Sequence, residues 1–258
     1  MGRYNITVLD LYDLRGQSNM DWNSATNSGL GAYDVSQTGV RTYWKTDRTS
    51  TDNGNWQTLT PGTNSFGDPA QVGSGYYGIE SKLLKDLKDA GKNPYMVKSS
   101  IGGTAIGTHV AAGANGIVSN NYYLKPAVSK LAKDGIVRHR GLVWFQGYSD
   151  CTSTSNANAY AGQLNTWASD CRGVYASLFI GQVEFSLVVV ESPDFTDGVV
   201  STDVDIVQAT QLAFGALRRD NYSVSKPTSI NFRDAGTHID GASGLAYSDK
   251  ILATISTL

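Results

Sequence analysis

Charge is scarce in this chain. Of its 258 residues, 17% are Asp, Glu, Lys or Arg, against about 25% in an ordinary soluble domain. The formal net charge is -2 and no long basic run occurs. Nucleic acid and an anionic membrane surface need a dense positive patch, so both are excluded as partners. Long apolar runs are missing as well: none reaches the roughly 18 residues of a membrane span. The start, Met1-Gly2-Arg3-Tyr4-Asn5, leads into an alternating segment, so no secretory signal is read there. Ile6 occupies the place where a myristoylation motif needs Ser or Thr. Histidine is limited to three residues and cysteine to two, too few for a structural zinc site.

The two cysteines, Cys151 and Cys171, are expected to be free thiols. Between them Tyr160, Leu164, Trp167 and Cys171 recur at i, i+4, i+7 and i+11, a helical pattern. Fifteen helical residues span about 22 Å, whereas bridged Cα atoms lie within about 7 Å. Residues 152–155 are too few to fold back over that length.

Glycine is abundant, at 28 residues, and Ser, Thr and Asn crowd the loops. A surface made polar by hydroxyls and amides suits work outside a cell. Delivery by a route other than an N-terminal signal is the matching expectation, with a virion component as one form of it.

The order of elements argues for a parallel sheet. Ile6–Leu14, Tyr95–Ser100, Leu142–Phe145 and Thr228–Phe232 read as strands, and Leu178–Glu191 as one long strand or two. Residues 79–90, Lys125–Lys133, Ala157–Asp170, Asp203–Arg218 and Ser243–Thr257 read as helices. Such alternation places helices on both faces of a parallel sheet, with ligands beyond the carboxyl ends of the strands. No repeat or linker divides the chain, so residues 1–258 are expected to form one domain. Residues 21–75 form a loop-rich insertion too long for a plain connection. Its Trp22, Tyr43, Trp44 and Trp56 are expected either to wall the site for a sugar or to form a small core of their own.

Four segments follow four strands. Gly16-Gln17-Ser18-Asn19-Met20 puts a serine where strand turns to helix, exposed and facing main-chain N–H groups; on its own it also reads as a helix cap. Gly102-Gly103-Thr104 brings backbone close to a ligand with no Cβ in the way. Trp144-Phe145-Gln146-Gly147-Tyr148-Ser149-Asp150 sets a side-chain amide at a strand end. Asp234-Ala235-Gly236-Thr237-His238-Ile239-Asp240 lies between the last strand and the last helix, from which a histidine can reach back to Ser18.

Taken in order, these blocks resemble the sialate O-acetylesterase-like carbohydrate esterase branch of the SGNH hydrolase superfamily. The likeness runs from Gly16 to Gly244. It implies a three-layer α/β/α sandwich with a central parallel sheet, flavodoxin-like in kind. It implies a serine esterase that removes acetyl groups from a carbohydrate through an acyl-serine, with no metal or organic cofactor. Ser18 would be the nucleophile and His238 the base. The oxyanion would be held by the Ser18 N–H, an N–H of Gly102 or Gly103, and the Gln146 side chain. Gln17, Asn19, Thr104 and Tyr148 are the candidates for substrate binding.

Two positions depart from the pattern. The family's third block continues Gln-Gly-Glu, where this chain has Tyr148. Its last block is Asp-x-x-His, and the residue three before His238 is Ala235. Asp234 supports the base if the loop carries an extra residue; Asp240 is the weaker substitute; with neither, the enzyme would be slow.

Other features are set aside. Gly73-Ser74-Gly75-Tyr76-Tyr77-Gly78 matches Gly-x-Gly-x-x-Gly but lacks the hydrophobic strand a dinucleotide fingerprint needs before it. No Gly-x-Ser-x-Gly elbow occurs, and Ser149 reads as a turn residue. His109 is a candidate wall of the pocket; His139, between two arginines, reads as part of a solvated turn. A catalytically weakened carbohydrate-binding or structural module on the same fold is the competing function. A lipase or thioesterase is disfavoured by the hydroxyl-rich 21–75 stretch.

Overall fold

In the computed structural model, which describes residues 7–21, 31–33, 35–50, 54–65, 78–182 and 185–258, the strand-like run near the start becomes β1, Val8–Gly16. The other strands are β2 (Gln37–Trp44), β3 (Asn55–Leu59), β4 (Pro94–Ser100), β5 (Ile136–Phe145), β6 (Leu187–Val190) and β7 (Asn221–Val224). They form one sheet in the order β3-β2-β4-β1-β5-β6-β7. Every pairing is parallel except that of β3 with β2 at the edge.

The helices are α1 (Ser18–Asp21), α2 (Glu80–Asp89), α3 (Ala114–Ile117), α4 (Lys125–Leu131), α5 (Tyr148–Cys151), α6 (Thr154–Leu178), α7 (Ser201–Phe214) and α8 (Gly241–Ile255). Alternate residues of a strand face opposite sides, and β1 is apolar on both: Leu9 and Leu11 join one buried cluster, Tyr12 and Leu14 the other. The first cluster takes in Leu131 of α4, Trp167 of α6 and Val207 of α7. The second takes in Leu83 and Leu87 of α2 and Tyr247 and Ile251 of α8. Helices thus cover both faces, the three-layer α/β/α arrangement expected. None of the helices among the described residues is long and apolar enough to cross a membrane.

Several boundaries differ from the expectation. Residues 37–44 and 55–59, within the supposed insertion, extend the sheet. Tyr43 and Trp56 pack edge to face at 5.4 Å, and Trp56 meets Tyr95 at 5.2 Å. These two aromatics join the main core and wall no site; Trp22 and residues 73–77 lie outside the described residues. The last strand is 221–224. Residues 228–232 form no strand, although Phe232 bridges to Ile239. Helix α6 runs on through Leu178, where a strand was expected. β5 begins at Ile136, so His139 is a strand residue, 4% exposed, packed on Tyr175 at 4.3 Å. Burial holds its imidazole well below the ordinary histidine pKa, with the Arg15 charge adding to the effect. Cys151 and Cys171 are both free and buried.

Candidate active site

The strand order places the site. β1 has β4 on one side and β5 on the other, and the chain crosses from the first half of the sheet to the second between them. In open parallel sheets the crevice at such a switch point, past the carboxyl ends, receives the ligand. Ser18 follows β1, Gly102–Thr104 follow β4, Gln146 follows β5, and His238 lies beyond β7.

Gly16 makes the turn into Ser18 possible. Its φ is +153°, and a Cβ there would sit 2.0 Å from the Phe145 carbonyl oxygen. Only glycine lets β1 end that close to β5. The chain then turns into α1, closed by a hydrogen bond from the Met20 N–H to Gln17 O at 2.9 Å. Ser18 itself is 5% exposed.

Ser18 Oγ lies 3.0 Å from His238 Nε2. His238 Nδ1 lies 2.5 Å from Asp234 Oδ2. The other oxygen of Asp234 accepts main-chain N–H groups from Gly236, Thr237 and His238 at 3.3, 3.0 and 2.9 Å. Burial pushes the Asp234 carboxyl up, but the bonds from His238 and Thr237 outweigh it and bring it down to about 2. The extra residue therefore lets Asp234, not Asp240, reach the imidazole. Asp240 is spent elsewhere: it caps α8, its carboxylate accepting the Ser243 N–H at 2.8 Å. The arrangement can draw a proton from the serine hydroxyl to Nε2 while the carboxylate fixes the opposite tautomer.

Gly102 lies against the nucleophile, a Cβ built on it falling 3.7 Å from Ser18 Cβ, and both Gly102 and Gly103 are exposed. Thr104 locks the turn: its hydroxyl is 2.7 Å from Ile101 O and 2.8 Å from His109 Nε2. His109 is buried behind the turn, against Trp144 at 5.0 Å, and does not wall a pocket. Its pKa is lowered to about 3 by burial and by the charges of Arg15 and Arg48, so it stays neutral.

Gln146 is more committed than expected. Its main-chain carbonyl accepts from Ser192, Gln211 and Tyr160. Its amide nitrogen has three acceptors in reach, Thr104 O at 3.0 Å, Gln17 Oε1 at 3.1 Å and the Asp150 carboxylate. Two hydrogens face three acceptors, so neither is spare for an oxyanion unless a partner is given up. Asp150 also accepts the Ile106 N–H at 3.1 Å, and burial raises its carboxyl to about 6 against these bonds.

The residues expected to bind substrate turn their side-chain polar groups to the protein. Asn19, 2% exposed, donates to Thr237 O at 3.0 Å and accepts from the Ile239 N–H at 3.1 Å, gripping the chain on both sides of His238. Tyr148 donates to Asp197 O at 3.1 Å. Gln17 accepts from Gln146, while its amide nitrogen is buried with no acceptor among the described residues. Ser149, expected in a turn, lies in the short helix α5. Among the described residues no group of three or more His, Cys, Asp or Glu is placed to hold a metal ion.

The sequence matches the family model described as carbohydrate esterase, sialic acid-specific acetylesterase, over residues 8–253. No curated protein matches it. Among solved structures, a protein from Arabidopsis thaliana is similar at 13% identity and TM-score 0.70, over 96% of this chain and 98% of that one. A carbohydrate acetylesterase from Xanthomonas citri gives 18% identity and TM-score 0.66, over 94% of this chain and 54% of that one. NanS gives 13% and 0.64, over 97% of each chain. At these identities the structures support the shared fold.

Proposed function

Since the chain belongs to the carbohydrate esterase, sialic acid-specific acetylesterase family, and is a carboxylic ester hydrolase, we propose that it deacetylates a carbohydrate through an acyl-enzyme on Ser18. The observation that carries this reading is the continuous relay from Asp234 through His238 to Ser18, with contacts of 2.5 and 3.0 Å.

His238 Nε2 takes the hydroxyl proton as Ser18 Oγ attacks the acetyl carbonyl. The carbonyl π pair moves onto oxygen, and the Ser18 N–H with an N–H of Gly102 or Gly103 receives the resulting oxyanion. Collapse expels the sugar alkoxide, which takes the proton back from His238. Water, deprotonated by the same imidazole, then attacks the acetyl-serine and releases acetate. Asp234 holds the ring and steadies the imidazolium in both halves. Gln146 joins the oxyanion hole if it exchanges Thr104 O for the substrate oxygen. The contact of Asp234 with the His238 imidazole argues against the weakened module, in which the fold is kept and the acid lost.

Hydrolysis of p-nitrophenyl acetate tests the assignment. Ser18→Ala should fall to the buffer rate with its fold intact by circular dichroism; equal rates in variant and wild type would remove Ser18 from the chemistry. Acetate release from acetylated xylan, pectin and sialic acids then names the sugar.

A further inference from the structure

Tyr148 and the extra residue before His238 are the two departures from the family pattern, and the structure ties them together. Resting on the reading of Asp234 and His238 as acid and base, we propose that Tyr148 is a positioning residue for the Asp234 loop, acting through residues 195–198.

The loop needs outside support. Three residues, not two, separate Asp234 from His238, so the turn bulges at Ala235 and Gly236. Gly236 has φ +122°, and a Cβ there would lie 1.9 Å from Thr196 Oγ1. The bulge is therefore shaped against Thr196 and tolerates glycine alone. Thr196 satisfies both of its carbonyls: its N–H donates to Gly236 O at 3.2 Å and its hydroxyl to Ala235 O at 3.3 Å. Asp197 adds a third tie, accepting the Thr237 hydroxyl at 3.3 Å.

Residues 196–198 are themselves exposed, and an exposed strap holds a loop only if it is anchored. Its anchors are Phe195, buried to 5% exposure, and Tyr148. The Tyr148 ring meets Phe195 edge to face at 5.2 Å, and its hydroxyl donates to Asp197 O at 3.1 Å. The phenol thus fixes the strap from below while the strap fixes the carboxylate loop from the side. A glutamate at 148, the usual residue of the family's third block, could not donate to that carbonyl when ionised and would face the Asp197 carboxylate nearby.

Steady-state hydrolysis of p-nitrophenyl acetate by Tyr148→Phe, Thr196→Val, the double variant and Tyr148→Glu tests the link. Each single change should lower kcat about 3- to 10-fold with KM within about twofold, as expected when a reacting group is slightly misplaced. The double variant should be about as slow as the slower single one, because both break one chain of contacts. Tyr148→Glu should not restore the rate. Full kcat in Tyr148→Phe, multiplicative losses, or a rise in KM alone would overturn the proposal, the last by putting Tyr148 on the substrate. The downfield proton resonance of His238 Nδ1, recorded in Ser18→Ala without substrate, should broaden or shift when Tyr148→Phe is added. That signal decides the matter even if wild type proves inactive on the ester, and an unchanged resonance would likewise overturn it.

Discussion

At the scale of single residues, Asp234 shows how a carboxylate is held ready by local geometry. Three consecutive N–H donors from Gly236 to His238 converge on one of its oxygens, leaving the other for the ring. With its pKa lowered to about 2, it is ionised throughout the neutral range. Its folded pKa lies below the unfolded value, so its contribution to stability is present above about pH 4 and is lost as pH falls toward 2. Asp234→Asn should reduce kcat by up to about 10⁴ with little change in KM, whereas Asp240→Asn should leave kcat alone. Steady-state kinetics on both variants check this, and a normal rate in Asp234→Asn would argue for a Ser-His dyad. Asp150 has the opposite sign. Its folded pKa is raised by burial to about 6, so ionising it costs the folded state about 3 kcal/mol, a cost absent below about pH 4 and complete above about pH 6. Urea unfolding of Asp150→Asn should therefore gain on wild type by up to about 3 kcal/mol between pH 4 and pH 7. Parallel pH curves for the two proteins would contradict that cause. Ser18 and His238 were legible because their blocks are contiguous in sequence. The commitments of Gln146 and Asn19 were not, because their partners lie far along the chain.

At the scale of elements, the strand-to-helix turns carry the site, and Asn19 couples two of them. One amide on α1 binds Thr237 O and the Ile239 N–H, so the nucleophile's helix and the histidine's loop move as a unit. Asn19→Ala should leave a buried donor and a buried acceptor unpaired. A stability loss of about 1–3 kcal/mol is expected, with kcat down roughly 10- to 100-fold and KM little changed. Thermal unfolding together with kinetics separates the two effects. The elements with clear periodicity, β1, α2, β4 and α8, were readable within a few residues. The failures have a common cause. Residues 174–180, Val-Tyr-Ala-Ser-Leu-Phe-Ile, form a short apolar run that fits helix and strand alike, and packing on His139 and Phe185 settles it as the end of α6. The true last strand, Asn-Tyr-Ser-Val, is polar at its start and buried only at its two ends, so the more apolar 228–232 segment outbid it. In β2 the exposed Arg41 and the turn-forming Gly39 (φ +84°) mask a strand whose partner lies beyond a long connection. His139 looked solvated because Arg138 and Arg140 flank it, but strand alternation sends it inward, while Arg138 is exposed and Arg140 pairs with the buried Asp10.

At the scale of the whole molecule, a seven-stranded sheet brings residues 18 and 238 within one hydrogen bond of each other across nearly the entire chain. The alternation of strands and helices foretold that the loops at the carboxyl ends would share one edge. It did not foretell that the segment following β6 would brace the last of them. The central claim is that this convergence activates one hydroxyl. Intact-mass and peptide mass spectrometry after exposure to a small fluorophosphonate, which labels activated serines alone, tests it most directly. The prediction is a single adduct, located on Ser18, formed quickly by wild type and at least 100-fold more slowly by His238→Ala. An unlabelled Ser18, or a label equally fast without the imidazole, would contradict it.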